Sequence, residues 1–437
     1  MNPTKRIIVL YSIMAVLFLV VGLNQGWDVA ILIFNLCIIS AIMALGVNIQ
    51  WGYAGLFSIG SMGFAALGGL ASVIISAEPV VEAWQIGGPG IVSGAIVLIL
   101  TGLLSFYSWK KLGLGGWKRI SVTAFVVLFG IVIMRLFAVP AIKAIENVDP
   151  AAAGYLGGFG LPITFSWICG GLLAGGVAWL IGKVSLGLRA DYLAIATLGI
   201  SEIIIFILKF EDWLTRGVKN VTGLPRPVPY EIDLVNSDVF QQWSSSRGLD
   251  TMGAASILVK LCYSALFLSV LIAVLYLSEK ALKSPWGRMM RAIRDSEVAA
   301  AAMGKDVKAR HLQVFVLGSA VVGIAGAMLT TLDGQFTPTA YQPLRFTFLI
   351  WVMVIIGGSG NNWGAILGGF VIWFFWVQAE PIGLWIIEFL TSGLPKDSDI
   401  RIHLIQSAAY MRLITMGILL LVVLRFSPRG LIPETNR

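Results

Sequence analysis

One carboxylate stands alone in the apolar stretch "DYLAIATLGISEIIIFILK": Glu202, with Thr197 and Ser201 shortly before it. An ionised group in hydrocarbon costs at least a few kcal/mol, so by default it faces a partner or a water-filled space. Together the three predict part of a polar route, with Thr197 and Ser201 hydrogen-bonding Glu202 or a substrate. The plainer alternative is that Glu202 pairs with another helix or marks the outer boundary of its span. Asp191, just after Arg189, reads as a helix-start acid, and Arg135 as a snorkelling side chain. Catalytic chemistry finds no support around them. The phosphate cradle GxxxxGK[ST] does not occur, and "GKVS" at Gly182–Ser185 lacks the earlier glycine. His311 and His403 are the only histidines, and no His/Cys/carboxylate group has metal-ligand spacing. A Ser/His/Asp set has no nucleophile motif behind it.

A second constellation is basic. "SPWGRMMRAIRDSEVAAAAMGKDVKARH" runs from Ser284 to His311 between long apolar runs. Ser284 before Pro285 is a helix start, a hydroxyl cap with proline in the first turn. Arg288, Arg291 and Arg294 follow at three-residue spacing, roughly along one side. Ser296 can cap a second short helix, with Glu297 near its positive end. The alanine run propagates it, and Gly304 suits its stop. The spacing predicts a helix–turn–helix with small residues on top, rigid enough for something to dock. A solvated loop whose arginines only orient the chain is the rival reading.

The elements that hold these residues are membrane helices. Charged residues are 12% of the 437 and hydrophobic ones 57%, against roughly 25% charged in ordinary globular proteins. The apolar residues fall in blocks near the roughly 20 that cross a bilayer as helix: Ile7–Leu23, Val29–Ile49, Ile91–Ser108, Ile120–Val139, Leu161–Ile181, Tyr192–Leu208, Ile257–Leu277, Leu312–Thr330 and Met411–Leu424. Period-two alternation is absent, which argues against a membrane barrel. Cys37, Cys169 and Cys262 sit inside apolar spans as small buried hydrophobes. No A-x-A-like site follows Ile7–Leu23, so it is expected to stay as the first span. The net charge of +8 fits membrane edges, with no call for nucleic acid.

Two awkward segments must cross as well: Ala54–Ser76, and the pair Phe346–Ile356 with Gly364–Gln378. They contain "GYAGLFSIGSMGFAALGG" (Gly52–Gly69) and "GGSGNNWGAILGG" (Gly357–Gly369), both glycine-dense and both ending in Leu-Gly-Gly. Paired, interrupted spans point to a transport path, which makes Tyr53, Ser58, Ser61, Gly358, Ser359, Asn361, Asn362 and Trp363 path candidates beside Thr197, Ser201 and Glu202. Close helix packing, as at Gly171-xxx-Gly175 and Gly364-xxx-Gly368, fits the glycines equally.

About twelve crossings result, with both termini cytoplasmic. Lys110, Lys111, Lys118, Arg119, Lys183, Arg189, Arg425, Arg429 and Arg437 then fall inside. Glu78, Glu82, Glu146, Asp149, Glu211, Asp212, Asp397 and Asp399 fall outside. The expected organisation is one all-α polytopic membrane domain over 1–437. It has a helical hairpin at 91–139, outer loops at 211–252 and 391–407, and the basic inner loop at 280–310.

"SPWGRMMRAIRDSEVAAAAMGKDVKARHLQVFVLGSAVVGIAGAML" resembles the cytoplasmic loop and following span of the LivM-type permeases of branched-chain amino-acid ABC importers. "WGYAGLFSIGSMGFAALGG", "LGLRADYLAIATLGISEIIIFI", "VMVIIGGSGNNWGAILGG" and "RFSPRGLIPE" extend the likeness in order along most of the chain. The resemblance implies that the loop docks into an ATPase subunit, with Glu297, Ala299, Ala300 and Gly304 matching the EAA-type motif; the interval from Glu297 to Gly304 is one position longer than the commonest pattern. It also implies a bacterial inner-membrane location, a second homologous permease subunit, two ATPase subunits that bind the ATP and Mg, and an extracytoplasmic binding protein. This chain itself would hold no cofactor. The implied cargo is a branched-chain or related hydrophobic amino acid; similar permeases carry urea or short amides. Two departures stand out: the 91–139 hairpin looks added, and "NVTGLPRPVP" has Leu224 and Pro225 where relatives continue with glycine. An ion-coupled carrier using Glu202 is the rival function.

Overall fold

A computed structural model describes residues 3–111, 116–149, 154–393, 395 and 398–434. Asp397 and Arg437 of the charge ledger lie outside these residues, as do the side chains of Lys110 and Lys111. The described residues are all-α apart from one two-residue bridge. Ten helical stretches among the described residues are long and apolar enough to cross a membrane. The first seven main helices are α1 (Pro3–Gln25), α2 (Trp27–Val47), α3 (Ser61–Ser76), α4 (Val81–Lys111), α5 (Gly116–Glu146), α6 (Ile163–Ser185) and α7 (Ala190–Phe210). After the short α8 (Asp212–Thr215), α9 (Glu231–Val235) and α10 (Asp238–Ser245) comes α11 (Thr251–Lys283). Two helical pieces, α12 (Pro285–Asp295) and α13 (Glu297–Ala302), lead to α14 (Val307–Asp333). The chain continues through α15 (Pro343–Gly357), α16 (Asn362–Leu390), α17 (Asp399–Gln406) and α18 (Met411–Phe426).

Of the twelve expected crossings, α3 and α15 are the short ones, with 16 and 15 residues. At 1.5 Å per residue they reach about 22–24 Å, short of a hydrocarbon core of about 30 Å. Both adjoin the glycine-dense breaks. Between α2 and α3 the chain makes a π-turn (Asn48–Gly52) and then runs without helix from Gly55 to Gly60.

The core is built where small residues let backbones meet. A Cβ on Gly68 would lie 1.9 Å from Gly323 O, and one on Gly326 2.0 Å from Ala65 O, so α3 and α14 pack at backbone contact. Gly46 meets Gly318 O in the same way between α2 and α14. Gly171 and Gly175 serve α6 against α14, and Gly364 and Gly368 serve α16 against α15. The glycine pairs noticed in the sequence therefore have packing roles.

Two expectations shift. The hairpin occupies all of α4 and α5, longer than 91–139. The two helices pack on each other and leave most of their apolar surface exposed. The expected outer loop at 391–407 is half helix: α17 runs through a 3-10 turn (Ser407–Tyr410) into α18, with Asp399 in its first turn. At the end of the molecule that carries loop 211–250, Val221 and Thr222 (β1) pair antiparallel with Phe336 and Gln335 (β2). Leu224 N–H donates to Gly334 O at 3.2 Å, which extends this clamp by one backbone bond. At the opposite end Arg6 donates to Ser427 Oγ at 3.2 Å, joining the start of the chain to its tail.

Candidate functional site

The basic segment folds as its caps dictate. Ser284 Oγ accepts from Gly287 N–H at 3.4 Å to start α12, and Ser296 Oγ accepts from Ala299 N–H at 3.2 Å to start α13. Gly304 closes α13 at φ +75°. Met290 and Ile293 are fully buried and seat α12 on the membrane helices. The three arginines do not share a fate, because a three-residue step turns a helix about 60° short of a full circle. Arg288 is exposed and its Nη1 donates to Lys283 O at 3.4 Å. Arg291 turns towards Glu434, 4.0 Å away. Arg294 turns inward.

The Arg294 guanidinium is the centre of a junction. Nη1 donates to Gly52 O at 2.5 Å, the end of the π-turn, and Nη2 meets Glu434 Oε2 of the C-terminal tail at 2.9 Å. Glycines admit it on two sides. A Cβ on Gly55 (φ +69°) would sit 3.2 Å from Arg294 Cγ, and one on Gly360 (φ +82°) 3.0 Å from Nη1. One side chain of the basic segment thus touches both glycine breaks.

Above it lies a buried amide pair. Gly360 N–H donates to Asn48 Oδ1 at 2.8 Å, and Asn48 Nδ2 donates to Asn362 Oδ1 at 3.2 Å. Tyr53 OH also donates to Asn362 Oδ1, while Asn362 Nδ2 donates to Glu279 Oε1 of α11 at 3.0 Å. The orientations are fixed chemically, since a backbone N–H can only donate and an ionised carboxylate can only accept. Asn361 caps α16, accepting from Trp363 N–H and Gly364 N–H, and its Nδ2 donates to Pro433 O at 3.2 Å. The tail completes the seal: Leu431 and Ile432 N–H donate to Ile356 O and Gly357 O at 2.7 and 2.8 Å, pairing carbonyls that the end of α15 leaves open. Glu434→Gln is expected to leave the melting temperature almost unchanged, because it weakens only part-exposed ion pairs, to Arg294 and Arg291. A thermal melt checks this.

The path candidates therefore part into separate places. Tyr53, Asn361 and Asn362 belong to the junction, with Gly358 against the tail backbone and Ser359 exposed. Ser58, Ser61, Thr197 and Ser201 gather at the start of α3. Ile59 N–H donates to Thr197 Oγ1 at 3.0 Å, Trp351 Nε1 donates to Ser58 O at 3.0 Å, and Met62 N–H donates to Thr347 Oγ1 at 3.3 Å. Ser61 is buried. The Ser58 and Ser201 hydroxyls are buried with no hydrogen-bond partner, and Ser201 Oγ abuts Gly63. Trp363 stands elsewhere, edge-on to Tyr11 of α1 with centroids 6.3 Å apart. Glu202 is exposed on the outward face of α7, among Ile195, Ile203 and Phe206. It does not join Thr197 and Ser201, which are buried on the other face.

The EAA-type residues divide too. Glu297, Ala299 and Gly304 are exposed, with Glu297 Oε1 3.8 Å from His311 Nε2. Ala300 faces inward at 8% exposure. The sequence reading gave no role to the side chains of Val298 on α13 and Met303 at its C-terminal cap, 82% and 80% exposed, although two bare apolar side chains on a charged segment were a visible signal. It also gave the tail no role.

A capped basic segment thus joins two helix breaks in a bundle of membrane-length helices. The family described as "Branched-chain amino acid transport system / permease component" matches residues 29–424. The chain belongs to this family. It is thus a multi-pass permease component of the ABC type. It is 24% identical over 397 residues to the "Probable branched-chain amino acid transport permease protein LivM" of Methanocaldococcus jannaschii, covering 90% of each chain. It is also 28% and 27% identical to the "High-affinity branched-chain amino acid transport system permease protein LivM" of Escherichia coli and of Salmonella typhimurium. Those two matches cover 47% of this chain and 49% of each relative, so the chain spans about half the length of these relatives. No solved structure matches it.

Proposed function

We propose that this chain is one membrane-spanning half of an ATP-driven importer, passing branched-chain or related hydrophobic amino acids inward by alternating access. Its working partners are a second homologous permease subunit, two ATPase subunits that hold ATP and Mg, and an extracytoplasmic binding protein. In this reading the chain crosses a bacterial inner membrane twelve times, ten long helices and two short ones, with both termini and the segment Ser284–Arg310 in the cytoplasm. The observation that carries this reading is Arg294. It ties the one well-capped basic element to the ends of both broken spans.

A conformational equilibrium shifts only when a ligand binds its two states unequally. ATP closes the motor subunits, and their displacement enters through α12 and α13. Because Arg294 holds Gly52 O and Glu434 together, tilting α12 drags the π-turn and the 358–361 break with it. The first break carries the start of α3 and its serines against α7. The outward face of α7 then needs cover, since a carboxylate at the lipid surface is penalised by about 2.5–3.5 kcal/mol near the membrane centre. The second permease subunit, or the water of the path between the two, supplies that cover for Glu202.

The test is uptake into vesicles. The chain alone is expected to accumulate no amino acid, and the full complex with loaded binding protein to accumulate it only with ATP. Uphill uptake without the ATPases, abolished in Glu202→Gln, would establish an ion-coupled carrier instead.

A further inference from the structure

His311 stands one turn into α14, where the basic segment meets the membrane helices, and its side chain is buried. The ring lies between two elements. On one side it donates to the backbone of Ala54, just before the first glycine break. On the other, Nε2 is 3.8 Å from Glu297 Oε1 of α13 and has no hydrogen-bond partner. A neutral imidazole has one N–H and one lone pair. With the N–H given to Ala54, Nε2 turns its lone pair towards a carboxylate, and two acceptors cannot bond. Buried polar atoms are paired as a rule. One proton on Nε2 removes this exception, because it adds both a donor and a positive charge facing Glu297.

Among the described residues Glu297 is the one charge that acts on the ring. Arg310 of the same helix donates to Gln313 at 3.1 Å, and Lys308 Nζ lies over Gly187. Asp306 caps α14 through Ala309 N–H at 3.0 Å. Arg291 and Arg294 of α12 face Glu434. The stretch Asn48–Gly60 that carries Ala54 has no acid or base apart from Tyr53, which donates to Asn362. We propose that His311 is a positioning residue of the motor-driven step: protonated, it ties α13 to α14 and to the first break through Glu297 and Ala54. This rests on the import reading above and gives that machinery a dependence on cytoplasmic pH. Burial disfavours a charged imidazole, so the tie is open near neutral pH and closes as the cytoplasmic side turns acidic. The fixed post is α14, since α3 and α6 both pack on it at backbone contact. Trp286 of α12 already leans on that post, donating to Gln313 at 3.1 Å. Fastening α13 there as well holds the elbow at both of its helices and resists the tilt that drags the first break. The proton on His311 is thus a brake on uptake.

Two measurements test this. His311 and His403 are the only histidines, so the full chain with labelled histidine, in lipid nanodiscs, shows two sets of ring NMR signals that His403→Gln assigns. Glu297→Gln is expected to lower the titration midpoint of His311 by about half a pH unit or more, the scale of two charges about 4 Å apart near water. An unmoved midpoint would overturn the contact. The brake is read from ATP-driven uptake by the complete transporter in vesicles, at about pH 7.5 and about pH 6 on the ATPase side. The comparison is with His311→Gln, which can still bond Ala54 but cannot be charged. Between the two pH values the wild type is expected to lose uptake a few-fold more than the variant, the pH response of the ATPases being common to both. Equal losses would rule the brake out while leaving the import reading intact. A transporter that takes up no amino acid at either pH would overturn the import reading and the brake with it, and the titration would still decide the contact.

Discussion

Replacing Val298 and Met303 together by aspartate is expected to strip the ATPase subunits from the complex. Both side chains are about four-fifths exposed, Val298 on a six-residue helix that otherwise shows only alanine and glutamate and Met303 at its C-terminal cap. Among the described residues nothing covers them, and a charged segment has no reason of its own to display a valine and a methionine. Anchors that fill a pocket on a partner contribute about 2 kcal/mol or more apiece, so losing both and burying two carboxylates should weaken docking at least about 100-fold. The fold should not notice, since the substituted positions face away from Met290, Ile293 and Ala300. Co-purification of the ATPases with the tagged permease, beside a melting curve of the permease alone, decides the matter. Full retention of the ATPases with normal uptake would show that α13 is not the docking element. Ala300→Arg is a poor substitute test, because a buried alanine reports on packing inside this chain.

How far the sequence reaches is clear from such contrasts. Helix existence was legible because bilayer length and apolarity act locally; Ile163–Ser185 lies almost where its apolar run does, while Thr251–Lys283 contains the run Ile257–Leu277 and extends past both of its ends. Caps were legible for the same reason, at Ser284 and Ser296. Glycine density announced both breaks. The use made of the freed backbone was not legible, because it depends on partners far along the chain: Gly52 O on Arg294, Ile356 O on Leu431, Gly360 N–H on Asn48. Which side of α7 carries Glu202 was equally hidden. Thr197, Ser201 and Glu202 look adjacent in sequence, yet Glu202 is one residue, about 100° of helix, beyond Ser201, and that turn separates a packed face from a bare one. Tyr53 and Asn362 looked like path residues because polar groups at a broken span usually are. Here they satisfy one another instead.

That mutual satisfaction makes Asn362 the most sensitive single position in the junction. Its amide takes Asn48 and Tyr53 on the oxygen and gives a proton to Glu279 from the nitrogen, with no exposed surface left. Asn362→Leu keeps the volume and removes all three bonds. Asn48 Nδ2 and Tyr53 OH are then left as buried donors, although Tyr53 keeps a long contact to Ser278 O at 3.4 Å. Each stranded buried group costs about 1–3 kcal/mol, so a loss of about 3 kcal/mol or more is expected. Glu279 retains Lys283 at 3.2 Å and suffers less. The effect on work should exceed the effect on stability. Asn48, Asn362 and Gly360 together lock the π-turn to the second break, and without that lock Arg294 pulls two segments that no longer move as one. ATP hydrolysis stimulated by the binding protein should therefore continue while uptake per ATP falls, a signature that simple unfolding cannot give. Measuring both rates on the same vesicles, together with the melting temperature, separates the two effects. Unchanged coupling in a destabilised variant would reduce the amide cluster to a structural clamp.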